Sequence, residues 1–289
     1  MKAGSARERS GRTGRPLAEL RSRYLVEGAT LPPGLLKDLE DDPRQGAQAL
    51  AKALKHRQAE NRSEGQRLRH MLKFEQPLWD EGYRHIAGVD EAGMAPLAGP
   101  VCAGAAILPV GYKLRGLDDS KKILDEAKRE ELAAAIKQDA LAWAVGWASV
   151  EEIDTINIYH AGLLAMRRAV EGLALQPDYV LVDARKIPGI GAPQRGIIKG
   201  DAQSLSIAAG AILAKTTRDA LLNELDAKHP GYGFASHKGY PTPEHLAALD
   251  ALGVLPFHRR SFMPVKIALG LVPKQEELFA QASPVKRRR

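Results

Sequence analysis

The spacing of apolar residues changes character along this chain. Up to about residue 42 no apolar period is sustained. Arg7, Arg9, Arg12, Arg15, Arg21 and Arg23 are scattered there among Gly, Ser and Pro, the composition of a flexible arm over residues 1–42. Over residues 43–82, Leu50, Leu54, Leu68, Met71, Leu72, Leu78 and Trp79 recur near helical spacing, with Pro43 suited to a first turn. This predicts a basic helical extension, with a break near Asn61 and Ser63.

Beyond it the period shortens. Tyr83–Val89 and Val101–Leu108 have the Val, Ile and small residues of buried strands, and Leu141–Ala148 alternates as a strand does. Glu126–Asp139 has helical composition, and Asn157–Leu173 places Leu163, Leu164, Met166 and Val170 on one helical face. Pro177–Asp183 and Gly196–Asp201 read as further strands. A helix rich in small residues then runs to about Ala227, and a short one spans Pro243–Leu252. Strands that first meander and then alternate with helices predict an α/β domain over residues 83–265, a mixed sheet flanked by helices. Residues 266–289 complete the chain as a C-terminal helix and a basic tail.

Three of these strands run into acids: Val89 into Asp90-Glu91, Val182 into Asp183, and Ile198 toward Asp201. Groups outside the strand ends of an open α/β sheet gather along a common crevice, so the four acids can converge. Asp90 and Glu91 share a site only if the strand finishes between them, which the Ala92-Gly93 turn allows. For any single acid the alternative is a strand-end turn or, at Asp201, a helix cap. Together they form a set of hard oxygen ligands without His or Cys spacing, which favours Mg²⁺ or Mn²⁺ over zinc. Asp219 is excluded as a further ligand, because it lies about 27 Å from Asp201 along one helix at 1.5 Å per residue. His237, His245 and His258 are too scattered for a metal site and read as structural.

Composition narrows the chemistry. The net charge of +7 on 289 residues points to a polyanion, and nucleic acid is the simplest. Only 5% of residues are aromatic, which argues against a stacking platform for single strands. No stretch of about eighteen uncharged apolar residues exists to span a membrane, and the Arg-rich start lacks the apolar centre of a secretory signal. The single Cys102 excludes an intrachain disulfide and suits a reducing, cytoplasmic setting.

At these residues the sequence resembles type 2 ribonuclease H (ribonuclease HII). The resemblance rests on Gly88-Val-Asp-Glu-Ala-Gly93, Leu97-Ala-Gly-Pro-Val101, Asp119-Ser-Lys-Lys122, Lys199-Gly-Asp-Ala202, Ile212-Leu-Ala-Lys215, His237-Lys-Gly-Tyr240 and His258-Arg-Arg-Ser-Phe262. It implies a ribonuclease H-like five-stranded mixed sheet with an N-terminal helical extension. It also implies hydrolysis of the RNA strand of RNA–DNA hybrids, and nicking 5′ of ribonucleotides embedded in DNA, with Mg²⁺ or Mn²⁺, leaving 3′-hydroxyl and 5′-phosphate ends. The family's catalytic and metal-binding carboxylates correspond to Asp90, Glu91, Asp183 and Asp201. Substrate contacts are implied for Gly93, Met94, Ala95, Lys121, Lys122 and Tyr240, the tyrosine packing on the sugar beside the ribonucleotide. The expected partner is an RNA–DNA hybrid or ribonucleotide-containing duplex, bound by a monomer with no membrane association; no protein partner is specified. Where the family's ribose-sensing loop usually reads Gly-Arg-Gly, this chain has Gly93-Met94-Ala95. The change removes a phosphate-pairing cation and adds a Cβ at 95 where positive φ can be required. Weak cleavage at a single embedded ribonucleotide follows as the expectation. A non-catalytic duplex-binding protein of the same fold is the alternative.

Overall fold

The computed structural model describes residues 16–273, and the chain divides into two compact units between Arg69 and His70. In the first, α1 (Leu17–Arg21) continues into a wide π-helical turn (Ser22–Val26), α2 spans Leu35–Glu40, and the long α3 spans Gln45–His70. Leu20, Tyr24, Leu35 and Leu39 are buried together with Ala47, Leu50, Ala51 and Leu54 of α3. The expected flexible arm to residue 42 is thereby corrected, since helix begins at Leu17. Leu17, Leu20 and Tyr24 form a short apolar stripe three and four residues apart, easily lost among the charges around it. Arg7, Arg9, Arg12 and Arg15 lie outside the described residues. The expected break at Asn61 is also absent, as α3 passes straight through it. Glu and Arg neighbours, including the Arg67–Glu64 pair at 2.8 Å, outweigh one Asn of modest helix propensity.

The second unit opens with α4 (Glu75–Asp80) and is built on five strands. These are β1 (Ile86–Ala92), β2 (Val101–Ile107), β3 (Ala142–Ala148), β4 (Tyr179–Asp183) and β5 (Gln194–Ile197). Their order is β3-β2-β1-β4-β5, antiparallel from β3 to β1 and parallel from β1 to β5, so the sheet is mixed as expected. Between them come α5 (Glu126–Asp139), α6 (Val150–Glu171) and α7 (Leu205–Lys228).

On one face, Ala161, Ala165 and Ala169 of α6 bury against Ala103, Ala105 and Val180. On the other, α7 approaches so closely that backbones touch. A Cβ on Gly88 would stand 1.9 Å from the Ser206 carbonyl carbon, and one on Gly104 would stand 2.2 Å from the Gly210 oxygen. Small residues on both sides of this contact are what let α7 lie flat on β1 and β2.

Two element boundaries differ from the periodicity reading. α6 starts at Val150, where Ser149 and Glu152 form a capping box, and the expected start at Asn157 is instead a kink (φ 66°). Asn157 Oδ1 accepts from the Tyr159 and His160 amides, so it recaps the second segment, which is why the signal pointed there. β5 stops at Ile197, and Lys199 in the left-handed region (φ 55°) turns the chain into a 3₁₀ turn, Gly200–Ala202. Asp201 therefore sits in that turn and not at a strand end.

After α7 come α8 (Phe234–His237), α9 (Pro243–Leu252) and α10 (Met263–Ala268); the basic end, Lys286–Arg289, lies outside the described residues. His237, His245 and His258 meet here. Leu255 N–H donates to His258 Nδ1 (2.9 Å), the Nε2 atoms of His258 and His245 are 3.1 Å apart, and His245 Nδ1 is 2.9 Å from the Tyr240 carbonyl. One tautomer set satisfies the whole chain: His258 Nε2–H donates to His245 Nε2, and His245 Nδ1–H donates to Tyr240. Both rings are then neutral. Burial first, and the neighbouring His245 second, push His258 down to about 4 from a usual 6.5. Cys102 is buried in β2, and burial pushes its thiol up, which suits a core residue. Among the described residues no helix is long and apolar enough to cross a membrane.

Gly88→Ala should destabilise the protein by about 3 kcal/mol, because overpacking meets backbone that cannot give way; an unchanged urea midpoint would contradict that contact. His258, depressed in the folded state, stabilises fully above its usual pKa and loses that contribution as pH falls from about 6.5 toward 4. His258→Gln should be less stable than wild type at pH 7.5, and the difference should shrink by pH 5. Parallel denaturation curves at both pH values check this.

Candidate active site

Val89 pairs with Val182 across the parallel β1–β4 ladder, so the next residues along, Asp90 and Asp183, stand side by side on one face of the sheet. That face carries α7, because Asp90 shares the parity of Gly88. β1 runs on to Ala92, with Asp90 opposite Gly104 and Glu91 opposite Ala103 on β2. The strand thus does not finish between the two acids, as had been expected. Glu91 leaves on the α6 face and meets the others around the sheet's end.

Asp201 reaches the group from the turn before α7. The turn is tied to β4, since Asp183 Oδ1 accepts from the Gly200 amide at 2.6 Å. Behind it, Glu75 of α4 is wholly buried and accepts from Ser204 Oγ (2.5 Å) and the Ser206 amide (3.0 Å), which pins the first turn of α7. Sequence reasoning missed Glu75. Its only trace is a single acid among the apolar residues Met71, Leu72, Phe74, Leu78 and Trp79, with Lys73 and Gln76 also polar there.

The electrostatics are those of crowded acids. Burial, then the charges of Glu91, Asp183 and Asp201, hold the Asp90 carboxyl well above the usual carboxylate range. Burial also raises Glu91, with Arg185 opposing. Two cations offset part of the charge. Arg185 Nη2 is 3.3 Å from Glu91 Oε1, and Lys121 Nζ is 3.2 Å from Asp201 Oδ2. Arg185 lies over the Tyr159 ring at 5.2 Å and was not singled out from the sequence, where nothing marks it beyond its place two residues after Asp183.

The acids open into a cleft of about 600 Å³ whose lining includes Asp90, Glu91, Asp183, Lys121 and Tyr240. Gly93, Met94 and Ala95 form part of its wall. Lys122 is not among the lining residues and pairs with Asp118 at 3.0 Å, so the structure separates the two lysines. Asp219 also lines the cleft despite its distance along α7 from Asp201, but Lys215 holds its Oδ1 at 2.9 Å.

The loop Gly93–Ala95 has its own geometry. Gly93 has φ 93°, and a Cβ there would stand 2.1 Å from Arg218 Nε, so glycine is required. Ala95 is not one of the positive-φ residues, so its Cβ carries no backbone strain, contrary to the expectation for that position. Met94 packs partly against the core, close enough to α6 that a Cβ on Gly162 would meet its sulfur at 2.9 Å.

The donor set suits a hard divalent cation: four carboxylates, with buried Glu91 Oε2 lacking any protein partner. Among the described residues, no three such side chains yet converge on one point as metal ligands. Asp90, Asp183 and Asp201 each give an oxygen to a backbone amide, and Glu91 gives one to Arg185.

This architecture has relatives. The family Ribonuclease HII matches residues 87–265, and Ribonuclease HII N-terminal domain matches residues 23–79. Ribonuclease HII of Myxococcus xanthus (strain DK1622) is 64% identical, over 92% of this chain and 93% of its own length. That of Anaeromyxobacter sp. (strain Fw109-5) is 60% identical over 91% and 84%. Among solved structures, ribonuclease H2 from Pyrococcus horikoshii OT3 superposes with a TM-score of 0.55 at 24% identity, over 64% of this chain and 97% of its own, a likeness of fold. With its sheet, its flanking helices and both matched segments, the chain belongs to the ribonuclease HII family.

Proposed function

We propose that this protein is an endonuclease that hydrolyses the RNA strand of RNA–DNA hybrids and nicks DNA 5′ of embedded ribonucleotides, leaving 3′-hydroxyl and 5′-phosphate ends. The observation that carries the reading is the gathering of Asp90, Glu91, Asp183 and Asp201 at one end of the sheet, in a buried setting that raises Asp90. Asp90, Glu91, Asp183 and Asp201 would hold Mg²⁺ or Mn²⁺. Bound there, such ions supply water activation and neutralisation of charge on the leaving oxygen of a phosphodiester.

The chain's own groups account for the rest. Lys121, with its side chain 80% exposed, is free to swing from Asp201 to a substrate phosphate. Arg185, shared between Glu91 and the Tyr159 ring, holds the acid until a cation replaces it. Tyr240 is 42% exposed on the cleft wall and offers a ring face to a sugar. The loop reads Gly93-Met94-Ala95 where the family resemblance implies Gly-Arg-Gly, so on that reading a phosphate-pairing cation is missing, while φ is positive only at Gly93.

Asp90→Asn should lower cleavage of a hybrid by about a thousand-fold, the scale of losing several kcal/mol of transition-state stabilisation, while duplex binding persists. Mn²⁺ should raise the Tm of the wild type and not of this variant. Retained cleavage in Asp90→Asn would remove the residue from the site. A duplex with one ribonucleotide should be cut with a lower kcat/KM than one with a run of ribonucleotides, and Met94→Arg should narrow that gap and steepen the salt dependence of binding by about one phosphate contact. Equal rates on both substrates in the wild type would show that the missing cation is immaterial.

A further inference from the structure

Two guanidinium groups are buried directly behind the loop Gly93–Ala95. Arg218 is 1% exposed and Arg259 is fully buried. Arg218 donates to the carbonyls of Pro100 (3.1 Å), Lys238 (3.1 Å) and Ala98 (3.0 Å). Arg259 donates to those of Gly99 (2.9 Å), Met94 (3.1 Å) and Gly93 (2.6 Å). Every one of these acceptors is a main-chain oxygen. No carboxylate among the described residues forms an ion pair with either side chain.

Burying two neighbouring cations without counter-ions is costly, and an apolar pair would fill the same volume more cheaply. What an apolar pair cannot do is fix the direction of peptide groups. A trans peptide points its N–H opposite to its C=O, and no cis bond is present. With the Gly93 and Met94 oxygens turned toward Arg259, the amides of Met94 and Ala95 face away from it, on the side where the loop walls the cleft. Among the described residues neither amide donates to a protein acceptor. Two free donors therefore stand in the cleft wall, aimed by a residue that does not itself line it.

We infer that Arg259 is a positioning residue for substrate recognition: the family resemblance implies that main-chain groups of this loop meet the ribose, and Arg259 mounts the loop so that the Met94 and Ala95 amides are held as a fixed pair of donors for it. Arg218 extends the mount. Its bond to the Lys238 carbonyl, together with the Leu97 amide bonded to the Gly239 oxygen (2.7 Å), ties the loop to the segment that carries Tyr240. Recognition then depends on main-chain direction, which tolerates Met and Ala as side chains because Met94 packs back against α6. The inference rests on the nuclease reading above for the identity of the ligand and on the arginine geometry for the mount.

The test compares affinity for a DNA duplex with one ribonucleotide and for the same duplex in all-DNA form, in EDTA so that nothing is cut. Arg259→Lys keeps the charge and loses the planar fork. It should lower the preference for the ribonucleotide about ten-fold, the scale of a small misplacement of recognition groups, and leave all-DNA affinity unchanged. A folded Arg259→Lys protein with the wild-type preference overturns the inference, as does an equal loss on both duplexes. Should the variant fail to fold, the wild type decides. The Met94 and Ala95 amide resonances should shift with the ribonucleotide duplex alone, and equal or absent shifts overturn the mount. Amide shifts of that kind in a wild type that cuts no substrate support the mount and sink the nuclease reading instead.

Discussion

Everything at the cleft depends on the contact between bare backbones where α7 lies across β1 and β2. Gly88 and Gly104 leave no room for a Cβ, and this closeness sets the height of α7 above the sheet. One end of the helix follows the turn that holds Asp201, and further along it Arg218 reaches behind the loop after β1. Asp90 lies two residues beyond Gly88 on the same face. A single steric constraint thus fixes one acid directly, a second through the helix start, and the recognition loop through an arginine. Side-chain packing, which relaxes over tenths of an ångström, would not hold three such groups in register.

Against that rigid frame the acids work in the opposite direction. Burial first, and the neighbouring acids after it, raise Asp90 and Glu91, a local destabilisation that folding elsewhere has to carry. The compensation comes from groups that can let go. Arg185 is shared between an acid and an aromatic ring, and Lys121 extends from an exposed loop. Only the lysine end of the second pair is exposed while Asp201 is buried, so the flexible lysine stem is the part free to be redirected. By contrast, the arginines behind the loop are each held by three main-chain oxygens and are buried, Arg259 also lying over the Phe262 ring, and they serve as fixtures.

Much of this was legible from periodicity and residue type. The mixed sheet, the strand acids at 90, 91 and 183 and the small-residue helix all follow from runs whose neighbours in sequence are also neighbours in space. The first helices were missed because their apolar stripe is short and interrupted, and its burial partner, α3, lies tens of residues away. Asp201 was assigned to a strand end because φ at Lys199, which turns the chain, is not written in its residue type. Lys121 and Lys122 look equivalent in sequence, yet a local bond to Asp118 takes one of them out of the cleft. Arg185, Arg218, Arg259 and Glu75 owe their importance to partners on distant segments, so even where the sequence marks one, as the motif His258-Arg-Arg-Ser-Phe262 marks Arg259, it does not say what the residue holds. Position 95 shows the reverse error, since a reason to expect strain disappeared once its φ was known.

The carboxylate of Glu75 has a consequence for how the protein is assembled from parts. The recognisable N-terminal family segment extends to residue 79, whereas the physical boundary between compact units falls at residues 69 and 70. The intervening stretch is tied to the first turn of α7 by Glu75, and the Met71 carbonyl accepts from the Leu205 amide at 2.9 Å. Heredity and mechanics therefore divide this chain at different places. A recombination that swaps the N-terminal module at its family border would carry off a strut of the hydrolytic half, whereas an exchange before His70 would leave that strut with the sheet it supports.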